Sequence, residues 1–596
     1  MSMQADAEDS EKRQNERSKI MKRIFFYYLK PYYLRMTLGL TIKFVGTLMD
    51  LFLPWALAYM IDEVIPANQT REILLWGGFM VGCSALAVIF NILANRMASR
   101  VASDAVYTIR EDLFTKVMYL SNRQTDELTR PSLISRLTSD TYNIHQMVAR
   151  VQRLGVRAPI LLIGGIAMTM SLDPALAAIL LASLPLLTIV VVIVSGKSIP
   201  MFSALQESTD RFVRLVREDI AGIRVIKALS KDDYERARFD RINREVVERE
   251  RKATVVTAIT NPAMNILLNL GLVGVILLGA YRVNAGVTEV GKILAFMTYF
   301  TIILNALLSI SRMFIILSKA AASAKRVVQV LDAEDERELF QTADVSEKFE
   351  AQNPPRIEFE HVTFSYQKGK EHATLKDISF RLEKGETLGI IGATGAGKSA
   401  IVNLLMRFYD IDQGAIRIDG QDIRTMNLKT LRKKFGAVFQ NDVLFGDSIY
   451  ENINMGRHLT EEQVREAVTH ARAEEFVKEK GGIGEQLEIR GANLSGGQKQ
   501  RLLIARALAA RPEILILDDS SSALDYKTDA ALRQELREYF SGTTCIVIAQ
   551  RISSVMNSDH ILVLEEGEVL GYGTHRELME SCQIYREIGS SQMEIA

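Results

Sequence analysis

TLGIIGATGAGKSAIVNLL, residues 387–405, decides the fold of the C-terminal half. An apolar run of strand length enters a glycine-rich loop and helix-forming residues follow, so the stretch reads as a buried strand, a loop and a helix start. Gly392, Gly397, Lys398 and Ser399 stand at the GxxxxGK[ST] spacing, with Ala393, Thr394, Gly395 and Ala396 filling the loop and Ala400 opening the helix. Glycines let backbone N–H groups wrap a phosphate, and a helix N-terminus favours its charge. Lys398 can reach outer phosphates, and the Ser399 hydroxyl can ligate Mg²⁺.

Downstream, EILILDDSSSALD (513–525) is an apolar strand ending in paired carboxylates. Asp518 is placed to hold the Mg²⁺ shell, and Asp519 stands where a general base would act. Between the two lies GANLSGGQKQRLLIARAL (491–508), whose Leu494, Ser495, Gly496, Gly497 and Gln498 form a glycine-rich helix start. Upstream, RIEFEHVTFSY (356–366) alternates as a strand does. An acidic connector precedes it. The expected division is therefore 1–335 for an N-terminal domain, 336–354 for a linker and 355–596 for the phosphate-binding domain.

The N-terminal domain is of different composition. Apolar segments near Met36 to Ile61, Ile73 to Ala94, Val156 to Ser171, Pro174 to Val194, Pro262 to Ala280 and Ile293 to Leu317 mostly approach the ~20 residues that span a bilayer. Six spans are counted, paired by short connections. The two long connections, Asn95 to Gly155 and Ser195 to Asn261, are charged and helix-patterned and carry most of the Lys and Arg. The positive-inside tendency puts them in the cytoplasm with the N-terminus, and an even number of spans returns the C-terminal half there. The polar first nineteen residues show no signal-peptide pattern. The basic, aromatic stretch IMKRIFFYYLKPYYL (20–34) suits an amphipathic helix at headgroup level. Lys43 and Asp50 fall two turns apart on one face of the first span, where ionisable groups face a partner or a wet cavity; a pathway lining and a structural pair are both open. Asn265, Asn269 and Asn305 in later spans have the same two readings and lean to amides that stitch helices together.

LSGGQ, the phosphate loop and the LILDD strand together resemble the nucleotide-binding domain of ATP-binding cassette (ABC) proteins. Gln440 in AVFQND resembles that family's Q-loop, which also contributes to the metal shell, Tyr366 its adenine-stacking aromatic, and Ser522 to Asp525 its D-loop. With six spans ahead of them, the motifs resemble an exporter half-transporter of type IV fold, an α-helical six-span transmembrane domain followed by an α/β P-loop domain. The resemblance implies ATP and Mg²⁺ as cofactors and a multi-pass subunit in a bacterial inner or plasma membrane. Two chains would sandwich two ATP molecules, each held by the phosphate loop of one and the signature of the other. Short coupling helices are expected within Thr108 to Leu120 and Arg211 to Lys227, docking near the segment after Gln440.

Two departures from the family pattern are informative. Its glutamate after the Mg²⁺-binding Asp is Asp519 here, and its switch histidine is Gln550. Asp is one methylene short for a base that must come within ~2.6–3.2 Å of its proton, directly or through one water. Gln550 can donate an amide hydrogen bond but carries no imidazolium. Both fall in the site built on this chain's own phosphate loop, whereas the LSGGQ and SALD elements lent to the other site match in full. Random decay would not sort itself that way, so a heterodimer with a second half-transporter is expected, hydrolysing mainly at the partner's Walker motifs. A smaller departure, EIRG at Glu488 to Gly491 where the family has GERG, leaves that loop's contact open.

A slow homodimer, an importer of siderophore-like cargo and an ATP-binding regulatory subunit are the competing readings. Mostly apolar spans agree with hydrophobic or amphipathic cargo, a small molecule or peptide, moved through membrane lipid, as in multidrug efflux. Lys plus Arg (72) balances Asp plus Glu (72), so no basic excess argues for nucleic acid. Three well-separated cysteines in 596 residues make neither a disulfide framework nor a zinc site.

Overall fold

The computed structural model describes residues 24–340, 353–366, 373–520 and 523–593. The first nineteen residues, the start of the amphipathic stretch, most of the expected linker and Ser522 lie outside them. The chain forms two compact units, Met1–Val117 with Pro131–Asp332, and Met118–Arg130 with Ala333–Ala596.

In the first unit, six helices are long and apolar enough to cross a membrane. They are α1 (Tyr33–Tyr59), α2 (Thr70–Met118), α4 (Thr141–Leu172), α5 (Pro174–Ala221), α8 (Thr260–Asn284) and α9 (Val290–Leu331), with α6 (Ile223–Ala228) and α7 (Asp232–Ala258) between them; α3 (Asn122–Leu128) belongs to the second unit. Leu34, Leu74 and Leu277 are 85 %, 72 % and 68 % exposed, which a bundle in lipid tolerates and one in water would not. The helices continue well beyond the expected spans, because the charged connections keep helical periodicity. Close packing uses small residues: a Cβ on Gly165 of α4 would sit 2.8 Å from Ile303 of α9.

The expected connection Leu172 to Asp173 is a helix stop and start. Asp173 Oδ1 accepts from the Ala175 and Leu176 amides at 2.9 and 3.3 Å, Pro174 opens α5, and Arg282 donates to Asp173 Oδ2 at 3.2 Å. Asp62, beyond α1, caps α9 in the same manner, accepting from the Gly291 and Lys292 amides. Asp62→Ala is expected to cost about 1–2 kcal/mol, the usual range for a lost cap, read as a lower Tm of the purified protein; an unchanged Tm would show that the cap contributes nothing. Asn305 donates to Thr301 O of its own helix, and Asn265 and Asn269 are exposed.

In the second unit, β1 (Ile357–Phe364), β2 (Leu375–Leu382), β4 (Gln413–Ile418) and β5 (Gln421–Asp422) form an antiparallel sheet in the order β2-β1-β4-β5. A six-stranded sheet has the order β10-β9-β3-β8-β7-β6, from β3 (Thr387–Gly392), β6 (Phe435–Val438), β7 (Ile514–Asp518), β8 (Thr544–Ile548), β9 (His560–Glu565) and β10 (Glu568–Gly573). Strand β3 pairs in parallel with β8 and β9. Its Leu388, Ile390 and Ile391 are buried, which accounts for its unbroken apolar run.

Of the two short helices expected in the long connections, the first falls outside its window and the second overlaps its own. α2 runs unbroken through Thr108 to Met118, and the short helix begins at Asn122, where Ser121 and Gln124 form a capping box. The second short helix starts after Gly222. Within the second unit α3 is held by hydrogen bonds at two of its polar side chains. Its Asp126 accepts from the Tyr409 hydroxyl at 2.7 Å, and Gln124 donates to Glu334 O at 3.2 Å.

Candidate functional site

Strands β3, β8, β7 and β6 are consecutive neighbours and parallel, so their carboxyl ends open on one edge, where ligands of such sheets bind. After β3 comes the phosphate loop, after β8 Gln550, at the end of β7 Asp518 and Asp519, and after β6 Gln440. A cleft of about 240 Å³ opens there. Thr394, Gly395, Gly397, Lys398, Ser399, Ala400, Gln440, Asp518, Asp519 and Gln550 line it, with Tyr366 and Thr374. Residues far apart in sequence meet because the strand order interleaves them.

The loop takes its shape from backbone freedom at two positions. Gly395 has φ +88° and Gly397 φ +98°, the latter as the cap of α10 (Lys398–Leu405). Lys398 Nζ donates to Gly392 O and Ala393 O, both at 2.8 Å, holding the ammonium over the loop. Burial pushes it below the ordinary lysine range, against the opposing fields of Asp518 and Asp519. The Ser399 hydroxyl donates to Asp518 Oδ2 at 2.9 Å. Burial pushes Asp518 above the usual carboxylate range; that hydrogen bond pulls it down, and Asp519's charge adds to the rise. A hydroxyl and a carboxylate paired at the cleft floor are hard oxygen donors of the kind Mg²⁺ takes beside phosphate oxygens.

Asp519 stands at φ +50°, and its Oδ2 accepts from Gln550 Nε2 at 3.3 Å and Gln440 Nε2 at 3.5 Å. The carboxylate is thus held between two amides. Tyr366 accepts from Asn403 at 3.1 Å and meets Tyr409 edge to face at 5.0 Å. Tyr409, absent from the sequence reading, links this aromatic wall to Asp126. Its signal was faint, one tyrosine after an ordinary helix.

Ala396 is 2 % exposed, its side chain packed in the hydrophobic core beneath the loop, which leaves its backbone as the part that can serve a phosphate. Leu494, Ser495, Gly496, Gly497, Gln498 and Asp525 do not line this chain's own cleft. Ser495 instead caps α11 (Gly496–Leu508) in a capping box with Gln498, and Asp525 caps α12 (Tyr526–Tyr539) through Thr528. Lys43 and Asp50 do not pair with each other. Lys43 donates to Asn91 and Asn95 at 2.7 and 3.1 Å, and Asp50 accepts from Arg157 at 3.1 Å.

This arrangement, six long apolar helices and a phosphate-loop domain with a separate signature helix, defines an ABC transporter half. The ABC transporter transmembrane region matches residues 36–307, and the ABC transporter domain residues 375–522. The Bacillus subtilis (strain 168) ABC transporter ATP-binding protein YfiB is 34 % identical over 568 residues, 95 % of this chain and 97 % of its own. A Mycobacterium tuberculosis fatty acid ABC transporter ATP-binding/permease protein is 33 % identical over 498 residues, 83 % of this chain and 77 % of its own. A bacterial Atm1-family ABC exporter solved with ATP bound superposes with TM-score 0.76 at 26 % identity, covering 94 % of this chain and 98 % of that one. The chain belongs to the ABC transporter family: it is a multipass exporter half-transporter whose ATP-binding domain drives transport.

Proposed function

We propose that the chain is one subunit of a heterodimer in the bacterial cell membrane, exporting hydrophobic or amphipathic compounds with one competent and one degenerate ATP site. The observation that carries this is the sorting of residues. Asp519 and Gln550, the two departures, share one cleft with this chain's phosphate loop, while the intact signature caps a helix outside it. The relative named for fatty acids supports amphipathic cargo.

When bound, Mg²⁺·ATP supplies the phosphoanhydride bond whose hydrolysis drives transport. The loop amides and Lys398 would hold the phosphates, Lys398 exchanging its two carbonyl partners for them. Ser399, Asp518 and Gln440 would hold the metal, and Tyr366 would stack on the adenine. Asp519 is short for a base and is occupied by the amides of Gln440 and Gln550, so it holds a proton-accepting oxygen away from the water it would activate. Ser495, Gly497 and Gln498 serve the partner's nucleotide. Co-purification of a second half-transporter, with turnover in the assembled pair, tests the assignment; a homodimer turning over at the ordinary rate of its family would refute it.

The cytoplasmic placement of the N-terminus and the ATP-binding domain rests on the Lys and Arg of the long connections. Single cysteines on a cysteine-free background should label from outside at Asn68 but only from inside at Ser103 and Lys231. Equal external labelling at all three positions would end the six-span topology.

A further inference from the structure

Three cations meet one carboxylate inside the first unit. The charged groups acting on Lys43 are Arg157, Asp50 and Arg153. Lys43 is 3 % exposed and is held by two neutral amides, Asn91 and Asn95, which orient the ammonium without cancelling its charge. Asp50 is engaged by Arg157 through one terminal nitrogen. Among the described residues, the Nε groups of both Arg153 and Arg157 are buried without a hydrogen-bond partner. Buried charge is retained in a membrane bundle where it has work to do, and unpaired guanidinium donors are costly unless an anion completes them.

Placement adds to charge. Arg150, Arg153 and Arg157 recur at i, i+3 and i+7 on α4 and so share one face. Arg157 is about fifteen residues, ~22 Å of helix, from the Leu172 end, which in a ~30 Å core is the cytoplasmic half. The Arg157 side chain is 41 % accessible and Asp50 25 %, so the pair is open on one side. With both Nε groups buried and Arg157 only partly satisfied by Asp50, the accessible part of the guanidinium is its terminal nitrogens, which can take a carboxylate or phosphate end-on.

We propose that Arg153 and Arg157, with Lys43 behind them, form the headgroup site for an anionic amphiphile as cargo, its acyl chain lying along the apolar helices and its acid group entering from the cytoplasmic leaflet. Asp50 competes for Arg157 and sets the affinity low enough for release. This rests on the export reading and its cytoplasmic N-terminus. The two fail separately, because export is read from ATP hydrolysis and vesicle transport, whereas this site is read from charge discrimination in nucleotide-free binding.

The test is equilibrium binding of radiolabelled oleate and oleyl alcohol to the transporter, purified with its partner chain in nanodiscs at pH 8. Oleate should bind at least ~10-fold more tightly than the alcohol, as charge-assisted contacts allow. Arg153→Gln with Arg157→Gln should remove that preference and leave the alcohol unchanged, and Arg157→Lys should keep part of it. Asp50→Asn should tighten oleate several-fold, and it decides the matter if the double variant does not assemble. Equal binding of acid and alcohol, no tightening in Asp50→Asn, or a phospholipid that stays bound through ATP turnover and is not displaced by oleate would each overturn the proposal.

Discussion

In the assembled transporter, Ser495→Ala or Gly497→Asp is expected to remove most steady-state ATP hydrolysis, and Asp519→Ala to change it little. The asymmetry follows from which nucleotide each residue serves. Ser495 caps α11 and Gly497 lies in its first turn, outside their own chain's cleft, so the Ser495 hydroxyl hydrogen and the Gly497 N–H are available to a nucleotide held by the partner. Losing a donor aimed at developing charge commonly costs ~10²-fold or more. Gly497 also lacks room: a Cβ there would lie 3.1 Å from Ala523 O, and an aspartate adds a negative charge where a phosphate should approach. Asp519, by contrast, is one methylene short and accepts from Gln440 and Gln550, so its removal takes away little that reaches the attacking water. Since Ser495 caps its helix, Ser495→Ala carries a further cost of about 1 kcal/mol, and assembly must be checked in each variant. Turnover at saturating ATP is the measurement. If Asp519→Ala proves as damaging as the signature variants, the sites are not divided as proposed and a slow homodimer with a working Asp becomes the better account. ATP should also persist longer at the Lys398 site, where phosphate and metal ligands are intact.

The cleft was more legible in the sequence than the helices were. The GxxxxGK[ST] loop, the LILDD strand and the Gln440 segment each announce a phosphate chemistry locally, through glycine spacing and apolar strands ending in polar residues. Their convergence was not legible, because it depends on strand order: β3 lies beside β8 and β9, not beside β4, its successor in sequence. How far the helices run past the apolar segments has a different origin. Hydropathy falls where lipid ends, but helical hydrogen bonding does not, so α2 continues to Met118 and α5 to Ala221. The capping box at Ser121 and Gln124 marked the true start of α3 and outweighed nothing in a reading guided by charge alone. Partners of Lys43 and Asp50 lie on other helices, and one-helix periodicity has no information about them.

The second large effect is expected at Gly392. Its φ is not in the left-handed region, so conformational freedom is not the reason for the glycine; space is. A Cβ there would lie 2.1 Å from Leu564 O and 3.1 Å from Leu564 C. Those are backbone atoms of β9, in register with Gly392 across the parallel pair, and Leu564 is 1 % exposed, so nothing flexible can yield. Gly392→Ala must therefore part β3 from β9 at the point where the chain turns into the phosphate loop and where Lys398 is anchored on Gly392 O. Steric conflict of this kind belongs with the most damaging single substitutions, about 4 kcal/mol or more, and at ~1.4 kcal/mol per factor of ten even part of it removes nucleotide affinity by ~10²-fold. Gly395→Ala is the contrasting variant. Its φ of +88° strains any side chain, but nothing lies within 4 Å of the added carbon, so the cost is about 1–2 kcal/mol of backbone strain and affinity should fall by no more than ~10-fold. Photolabelling of this chain with azido-ATP, resolved from its partner by gel, measures both. Equal labelling of the Gly392→Ala and unmodified chains would mean that β9 yields at Leu564, and the rigid strand edge would no longer explain how the loop is held.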